Sequence, residues 1–391
     1  MRRNSRSCTC RHRWLSGAAV FPVIQTFDVV VIGAGIAGAS IAAEIAAHRT
    51  VLIAEAEEHP GYHTTGRSAA FWEECYGGPD VLPLTRGSGP WFRERGFLSD
   101  RGALYLARAQ DASLIDDFFG RFEQSGADAA LIDRPRLESM VPGLAPEWDR
   151  AIHQPRCADI DVAAVHQHYL ASARERGTTI ACGRRFRSAE RSKGLWRLQF
   201  DKGDAVQAGI IVNSAGAWAD DVAQRCGASP LGIRPYRRTV AQLRTDPPPP
   251  SDLPLCLDIS GDFYFKPESG KVWLSPHDEI PSEACDAVPD EIDVARAIDR
   301  FGKVVNWQVL ALEHKWAGLR SFAPDRLPVY GFDRRVDGLF WFAGQGGFGI
   351  QTAPAAARLG AQLLLDAPCD AMTEALDTAL YSPARFTPAA V

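Results

Sequence analysis

The chain has 391 residues, enough for more than one hydrophobic core. Hydrophobic residues make up 46% and charged residues 23%, the balance of a globular protein rather than a disordered or fibrous one. A net charge of −5 without a strongly basic face argues against nucleic acid as a main partner, and no apolar run is long enough to form a transmembrane segment.

Nine cysteines are scattered from Cys8 to Cys369. They form no CxxC pair and their number is odd, so neither a disulfide framework nor a zinc site is indicated. Reduced thiols, a cytoplasmic location and no metal are the expectation. Cys8 and Cys10, with His12 nearby, are close thiols without a second pair, a poor metal site. Residues 1–26 carry Arg2, Arg3, Arg6, Arg11 and Arg13 before the first acid, Asp28, and a short apolar stretch from Leu15 to Ile24. This faintly matches a targeting peptide, but Pro22 interrupts it and no good cleavage site is visible. The expected reading is an extension, disordered or owed to an upstream start.

Asp28 to Ile32 reads as a strand running straight into Gly33-x-Gly35-x-x-Gly38, with Ile36 and Ala37 opening a helix of small residues. Gly33 permits the tight turn, Gly35 lets the backbone approach a pyrophosphate, and Gly38 lets helix pack on strand. The helix N-terminus offers free N–H groups to phosphate. A second strand, 51–54, ends at Glu55, about twenty residues on, where a carboxylate accepts hydrogen bonds from ribose hydroxyls. Strand, turn, helix, strand and acid together specify a dinucleotide site.

Residues 60–78 form a polar loop passing into a short helix, and 80–150 read as mostly helical with Pro and Gly breaks. Asp161 to Arg176 is periodic and helical; 196–200 and 209–213 read as strands. Ser214 to Trp218, including Ala215 and Gly216, is a tight turn before another helix. Residues 234–244 and 263–275 alternate like antiparallel strands, and Asp290 to Leu312 reads as helix. A strand over 338–342 leads to Gly344-Gln-Gly346-Gly347-Phe348-Gly349-Ile350, followed by an Ala-rich helix over 352–365. Two Gly-rich turns far apart suggest a cofactor with two ends. The second precedes a helix whose positive N-terminal end suits negative charge on a reduced flavin ring. Between them, His63, Thr65, Gly66, Arg67 and Ser68 offer backbone and side-chain donors. A structural hydrogen bond for His63 and a surface salt bridge for Arg67 are the alternatives.

Asp28 to Gly38, Gly61 to Ala70, Val212 to Trp218, Trp316 to Ser321 and Gln345 to Thr352 stand in an order that resembles the FAD-dependent amine oxidoreductases of the D-amino-acid oxidase and glycine oxidase group, and within it the D-arginine dehydrogenases. The resemblance covers roughly residues 27–385. It implies an α/β fold: a discontinuous Rossmann-like FAD-binding domain (27–85, 159–233, 315–391) and an α+β substrate domain with an antiparallel sheet (86–158, 234–314). It implies non-covalent FAD and oxidation of a D-amino acid to the imine, with hydride passing to flavin N5, then hydrolysis to a 2-oxo acid and ammonia. Oxidation of glycine, sarcosine or another secondary amino acid is the alternative.

By the same resemblance, Arg238 and Arg320 clamp the substrate carboxylate, with Arg237 the fallback for the former. Guanidinium forks suit carboxylates better than lysine does. Tyr264 adds a hydroxyl contact, and Tyr76 covers the pocket on a loop that Gly77 and Gly78 would hinge. Gly347 and Gln351 line the pocket near the flavin. The chain departs from the D-arginine dehydrogenases at Phe71, where they carry a histidine, and at Ala103, where they carry the glutamate that receives the guanidinium. With Leu255 and Leu257 alongside, such a pocket should prefer apolar side chains. Glu73 stands where a pocket threonine is expected; it either recruits a cationic side chain or, like Glu74, faces solvent on a helix. Trp273 occupies the position of the lysine that promotes oxygen reduction in sarcosine oxidases, and no thiol lies near Gly318 to tether flavin. A dehydrogenase passing electrons to a quinone or another acceptor is therefore expected.

Overall fold

The computed structural model describes residues 24–386. Cys8, Cys10, His12 and all but the last three residues of the expected extension lie outside the described residues; Gln25 and Thr26 already belong to the first strand.

Two large sheets carry the architecture. In the first, the strand Gln25–Ile32 lies parallel between Val206–Asn213 and Val51–Ala54. Leu339–Ala343 continues the parallel set beside Val206–Asn213. Val29, Val30 and Val31 are all fully buried, as expected for a parallel strand covered on both faces. Val29 and Val31 meet the helices Ile36–Ile45 and Ala353–Leu365; Val30 and Ile32 face a second core containing Trp196, Ile211 and the helix Ala219–Arg225. Gly33 has φ +100°, open to few residues but glycine. At Gly38 a Cβ would lie 1.9 Å from the Gly33 carbonyl oxygen, so only a missing side chain lets this helix start against the turn.

The second sheet is built mostly of antiparallel pairs. The fifteen-residue strand Gln308–Phe322 pairs along the whole of Arg234–Asp246. Beyond it come Lys271–Ser275, Tyr264–Glu268, Leu255–Asp258, Ala103–Ala107, Arg150–Gln154 and Ala130–Asp133. Period-two alternation sorts its residues between two faces. Leu104, Leu106, Cys256, Phe265 and Leu274 turn to a core closed by the helix Glu291–Phe301. Ala103, Leu255, Leu257 and Tyr264 turn the other way, into a separate cluster with Phe71 and Cys157.

The structure corrects three expectations. Residues 80–150 are not mostly helical: the short strands Leu98–Asp100, Ala103–Ala107 and Ala130–Asp133 lie within them, and Arg150–Gln154 begins at their end. Their apolar runs are too short to tell from helix by periodicity. The helix expected to reach Leu312 ends at Phe301, and Gln308 to Leu312 opens the long strand. Its alternating Leu and Ala favour helix locally, and pairing with Arg234–Asp246 overrides them. The loop 60–78 leads into a single 3₁₀ turn, Thr65–Arg67, and the two-residue strand Phe71–Trp72, with no α-helix before Leu82. The boundaries drawn at 85/86 and 314/315 both fall inside elements, the helix Leu82–Glu94 and the strand Gln308–Phe322.

Candidate active site

A cavity of about 570 Å³ is lined from both sheets. At one end stand Gly33, Gly35, Ile36 and Ala37 of the first turn, Glu55, and the turn residues Ala215 and Gly216. His63, Thr65, Arg67 and Ser68 line its middle, and Arg238, Tyr264, Arg320, Gly346, Gly347, Gly349 and Ile350 the far end. Glu55 accepts the Ala34 N–H at 2.6 Å and the Glu57 N–H at 2.9 Å, which holds its carboxylate beside the glycine turn. The helix Ile36–Ile45 has no acid in its first turn and no side-chain cap from Gly35; the Ile36 N–H donates to Thr65 Oγ1 at 2.9 Å. Such a helix start is suited to an anion.

Four residues expected at the cofactor do not line the cavity. Gly38 is spent on helix–strand packing. Gly66 is exposed and donates its N–H to Gly61 O. Gly344 lies against Val329 and Ala323, and Phe348 packs on Val81 and Phe322. Two others are committed as well as placed. The His63 ring is bonded to Glu57 at 3.1 Å and lies 4.8 Å from Trp218. The Arg67 guanidinium pairs with Asp286 and donates to the Ala287 and Ala317 carbonyls, so it ties the cradle loop to the substrate-side sheet.

The far end follows from strand parity. Arg238 stands opposite Gly318 and Tyr236 opposite Arg320, so Arg238 and Arg320 share one face as diagonal neighbours, while Arg237 points away. Arg237 is accordingly paired with Asp278 and Asp293. Arg238 is buried; its Nε donates to Asp278 O at 2.7 Å and its Nη2 to Glu279 at 3.2 Å. Its Nη1 is buried and has no partner among the described residues. Arg320 Nη1 donates to the Tyr76 hydroxyl at 2.6 Å. Burial, then the Arg320 charge, lowers the Arg238 pKa below its usual value. Two cations held side by side in a dry site call for an anion.

Phe71, Ala103, Leu255 and Leu257 form one buried cluster with Tyr264 beside this clamp; of these five only Tyr264 lines the cavity, and Tyr76 does not line it either. The Phe71 ring lies 5.1 Å from Tyr76 and 6.2 Å from Tyr264, edge-on to both. A Cβ on Gly347 would come within 2.9 Å of Arg320 Nη1 and 3.2 Å of the Tyr76 hydroxyl, so this glycine leaves room for both. Gln351 does not line the cavity. Its amide donates to Tyr76 O and Thr85 Oγ1 and its oxygen receives the Glu73 N–H, which fixes the turn that carries Tyr76. Glu73 and Glu74 are not on a solvent-facing helix; both are buried. Trp273 packs edge-on to Trp316, outside the cavity.

Two residues escaped the sequence reading. His277, at φ +54°, is bonded through Nδ1 to Gly261 O at 2.9 Å and meets Tyr264 edge-on at 5.5 Å. Burial, with Arg238 and Arg320 adding to it, pushes its pKa down to about 3, so it is a neutral spacer beside the clamp. A His directly after a strand-ending Ser-Pro was the only signal. Lys266, opposite Trp273, is buried in ion pairs with Asp159 and Glu268. Nothing in its alternating strand distinguishes it.

A fold with a two-ended cavity, a phosphate-ready helix start and a cationic far end defines a flavin-dependent oxidoreductase. Residues 28–363 match the family model of FAD dependent oxidoreductases, and the chain belongs to that family. FAD is its cofactor. Hydrogen cyanide synthase subunit HcnC of Pseudomonas aeruginosa is 24% identical over 93% of this chain and 97% of its own length. Among solved structures, L-proline dehydrogenase from P. horikoshii superposes with TM-score 0.80 at 22% identity, covering 93% of this chain and 98% of its own. Glycine oxidase from Geobacillus kaustophilus gives 0.79 at 22%, covering 92% and 98%. At these identities the structural likeness is one of fold. Among the described residues no helix is long and apolar enough to cross a membrane, and no group of His, Cys, Asp and Glu is arranged to hold a metal ion.

Proposed function

We propose that this chain is an FAD-dependent dehydrogenase that oxidises the Cα–N bond of a D-amino acid with an apolar side chain. The observation that carries the reading is Arg238 Nη1: a buried guanidinium nitrogen without a partner, beside a second arginine and two tyrosines. A substrate carboxylate supplies what is missing.

The residues present fit FAD. The Gly33–Ala37 backbone and helix start would take the pyrophosphate, Glu55 the ribose, and Thr65, Ser68 and the turns 215–216 and 346–350 the rest. Bound there, FAD accepts the electron pair that leaves the substrate. The protein binds and orients. Arg238 and Arg320 fix the carboxylate, Tyr264 and Tyr76 add hydroxyl contacts, and the cluster of Phe71, Leu255 and Leu257 keeps water from the side chain. The amine reacts as the free base, because an ammonium has no lone pair. The imine then hydrolyses in water to a 2-oxo acid and ammonia.

Phe71 and Ala103 favour apolar side chains over the D-arginine of the enzymes the sequence resembles. Trp273, with Lys266 locked to Asp159, favours a quinone or similar acceptor over oxygen. Among the described residues no cysteine lines the main cavity, which favours non-covalent FAD; contrary to the expectation of no thiol near Gly318, Cys285 lines a small adjoining pocket with Gly318 and His63. The tight packing of Phe71 against Tyr76 and Tyr264 supports a second reading, in which glycine or a small secondary amino acid such as sarcosine is the substrate. Product analysis separates the two, since only the first yields a 2-oxo acid that carries an apolar side chain.

Arg320→Met tests the clamp. The variant retains FAD and its KM rises by orders of magnitude, about 2–5 kcal/mol for a charge partner lost in a desolvated site. Unchanged KM removes Arg320 from the clamp.

A further inference from the structure

Glu73 is the acidic group beside the apolar cluster that the proposed reaction does not use; it does not itself line the cavity. Its carboxyl is wholly buried. Oε1 accepts the Cys75 N–H at 2.8 Å and Oε2 the Tyr105 hydroxyl at 2.8 Å. Among the described residues no cation pairs with it, since the nearby Arg86 and Arg156 go to Glu74. Tyr105 lies on the same strand face as Ala103 and directly opposite Leu257, whose other neighbour is Tyr264. Through its bond to Tyr105, the carboxyl is joined to the apolar cluster beside the clamp.

A buried carboxyl without a counter-charge stays protonated until a cation reaches it or the pH rises. We propose that Glu73 is the specificity-determining residue of the substrate pocket. Protonated, it admits apolar side chains; ionised, it admits side chains ending in an ammonium or guanidinium. This rests on the reading of Arg238 and Arg320 as the carboxylate clamp. Burial, the largest influence, lifts the Glu73 pKa to about 7 against the Cys75, Tyr105 and Tyr76 hydrogen bonds, with Glu74 adding to the rise.

The two thiols and the phenol nearest it stay neutral across that range. Cys75 and Cys157 on either side are raised by burial, the first to about 12, and Tyr105 is raised well above its usual value. Glu74 is paired with Arg86. Beyond Cys157, Asp159 and Lys266 pair with each other. Across the cluster stand Tyr76, Tyr264, Arg238 and Arg320.

The test is kcat/KM of the holoenzyme for D-lysine and for D-leucine between about pH 6 and 9. The α-amine and clamp titrations are common to both substrates and cancel in the ratio. The D-lysine to D-leucine ratio is expected to rise by about an order of magnitude through the Glu73 titration. In Glu73→Gln the ratio is low and flat with pH. Tyr105→Phe removes a donor to the carboxylate and moves the rise to higher pH, a second variant in case the first does not fold. A pH-independent ratio in the native enzyme, or the same rise in Glu73→Gln, overturns the proposal while D-leucine oxidation leaves the clamp reading intact. If neither substrate is oxidised, the clamp reading fails and takes this proposal with it. The infrared carbonyl band of a buried carboxylic acid, lost on titration near pH 7 and missing in Glu73→Gln, checks the protonation change without turnover.

Discussion

Arg238 and Arg237 are adjacent, yet Arg238 keeps a buried Nη1 that has no partner among the described residues, while Arg237 is neutralised by Asp278 and Asp293. That only one of them could face the pocket was legible in the sequence, because a β-strand places neighbours on opposite faces; which one rested on the resemblance. His277 was not legible: its importance lies in a left-handed backbone angle and in burial beside two cations, neither of which leaves a residue pattern. Glu73 was visible as an oddity, but its environment was not, since Glu73 and Glu74 read alike and the structure gives only one of them a cation. Its titration also bears on stability. Its carboxyl titrates at about 7 in the folded chain against a usual 4.5. Folding therefore favours the protonated form. That contribution is complete below about pH 4.5 and is lost as pH rises through about 7. Glu73→Gln is expected to flatten this part of the pH profile. Thermal melts of both proteins between about pH 5 and 8 check it; parallel profiles would mean that Glu73 is not a buried neutral acid.

At the scale of elements, the two glycine turns do different work. In the first, Gly38 serves packing, as its spacing implied. The second passes the clamp, where Gly347 clears Arg320 and Tyr76, while Gly344 and Phe348 support it from behind. Glycine spacing alone does not separate these roles, because it shows where a side chain is missing and not what fills the space. Gly347→Ala should push the Arg320 guanidinium and the Tyr76 hydroxyl apart. We expect KM to rise about tenfold or more, as overpacking costs about 1–3 kcal/mol, with FAD binding retained. Steady-state kinetics with a flavin absorbance spectrum reads both; loss of FAD with unchanged KM would assign Gly347 to the cofactor instead. The strand Gln308–Phe322 marks the limit of local reading. Its first half has helix-favouring residues, and only the pairing with Arg234–Asp246 makes it a strand and brings Arg320 beside Arg238.

For the whole molecule, function depends on joining the two sheets. The parallel sheet supplies Gly33–Ala37 and Glu55, the antiparallel sheet Arg238, Tyr264 and Arg320, and Arg67 holds a cradle loop between them through Asp286, Ala287 and Ala317. The parallel half was legible from its continuous apolar strands and glycine turn. The antiparallel half was legible only in part, because several of its strands are short and gain their identity from partners far along the chain. On the proposed reading, the joined site makes one central demand: the substrate must be an amine that carries a carboxylate. Anaerobic stopped-flow absorbance of the FAD-loaded protein tests this directly, mixing it in turn with D-leucine, L-leucine, glycine, sarcosine and isoamylamine, the decarboxylated counterpart of leucine. Rapid bleaching of the flavin by D-leucine, with none by isoamylamine, is the predicted result. Bleaching by isoamylamine at a comparable rate, or by none of the amino acids, would contradict it.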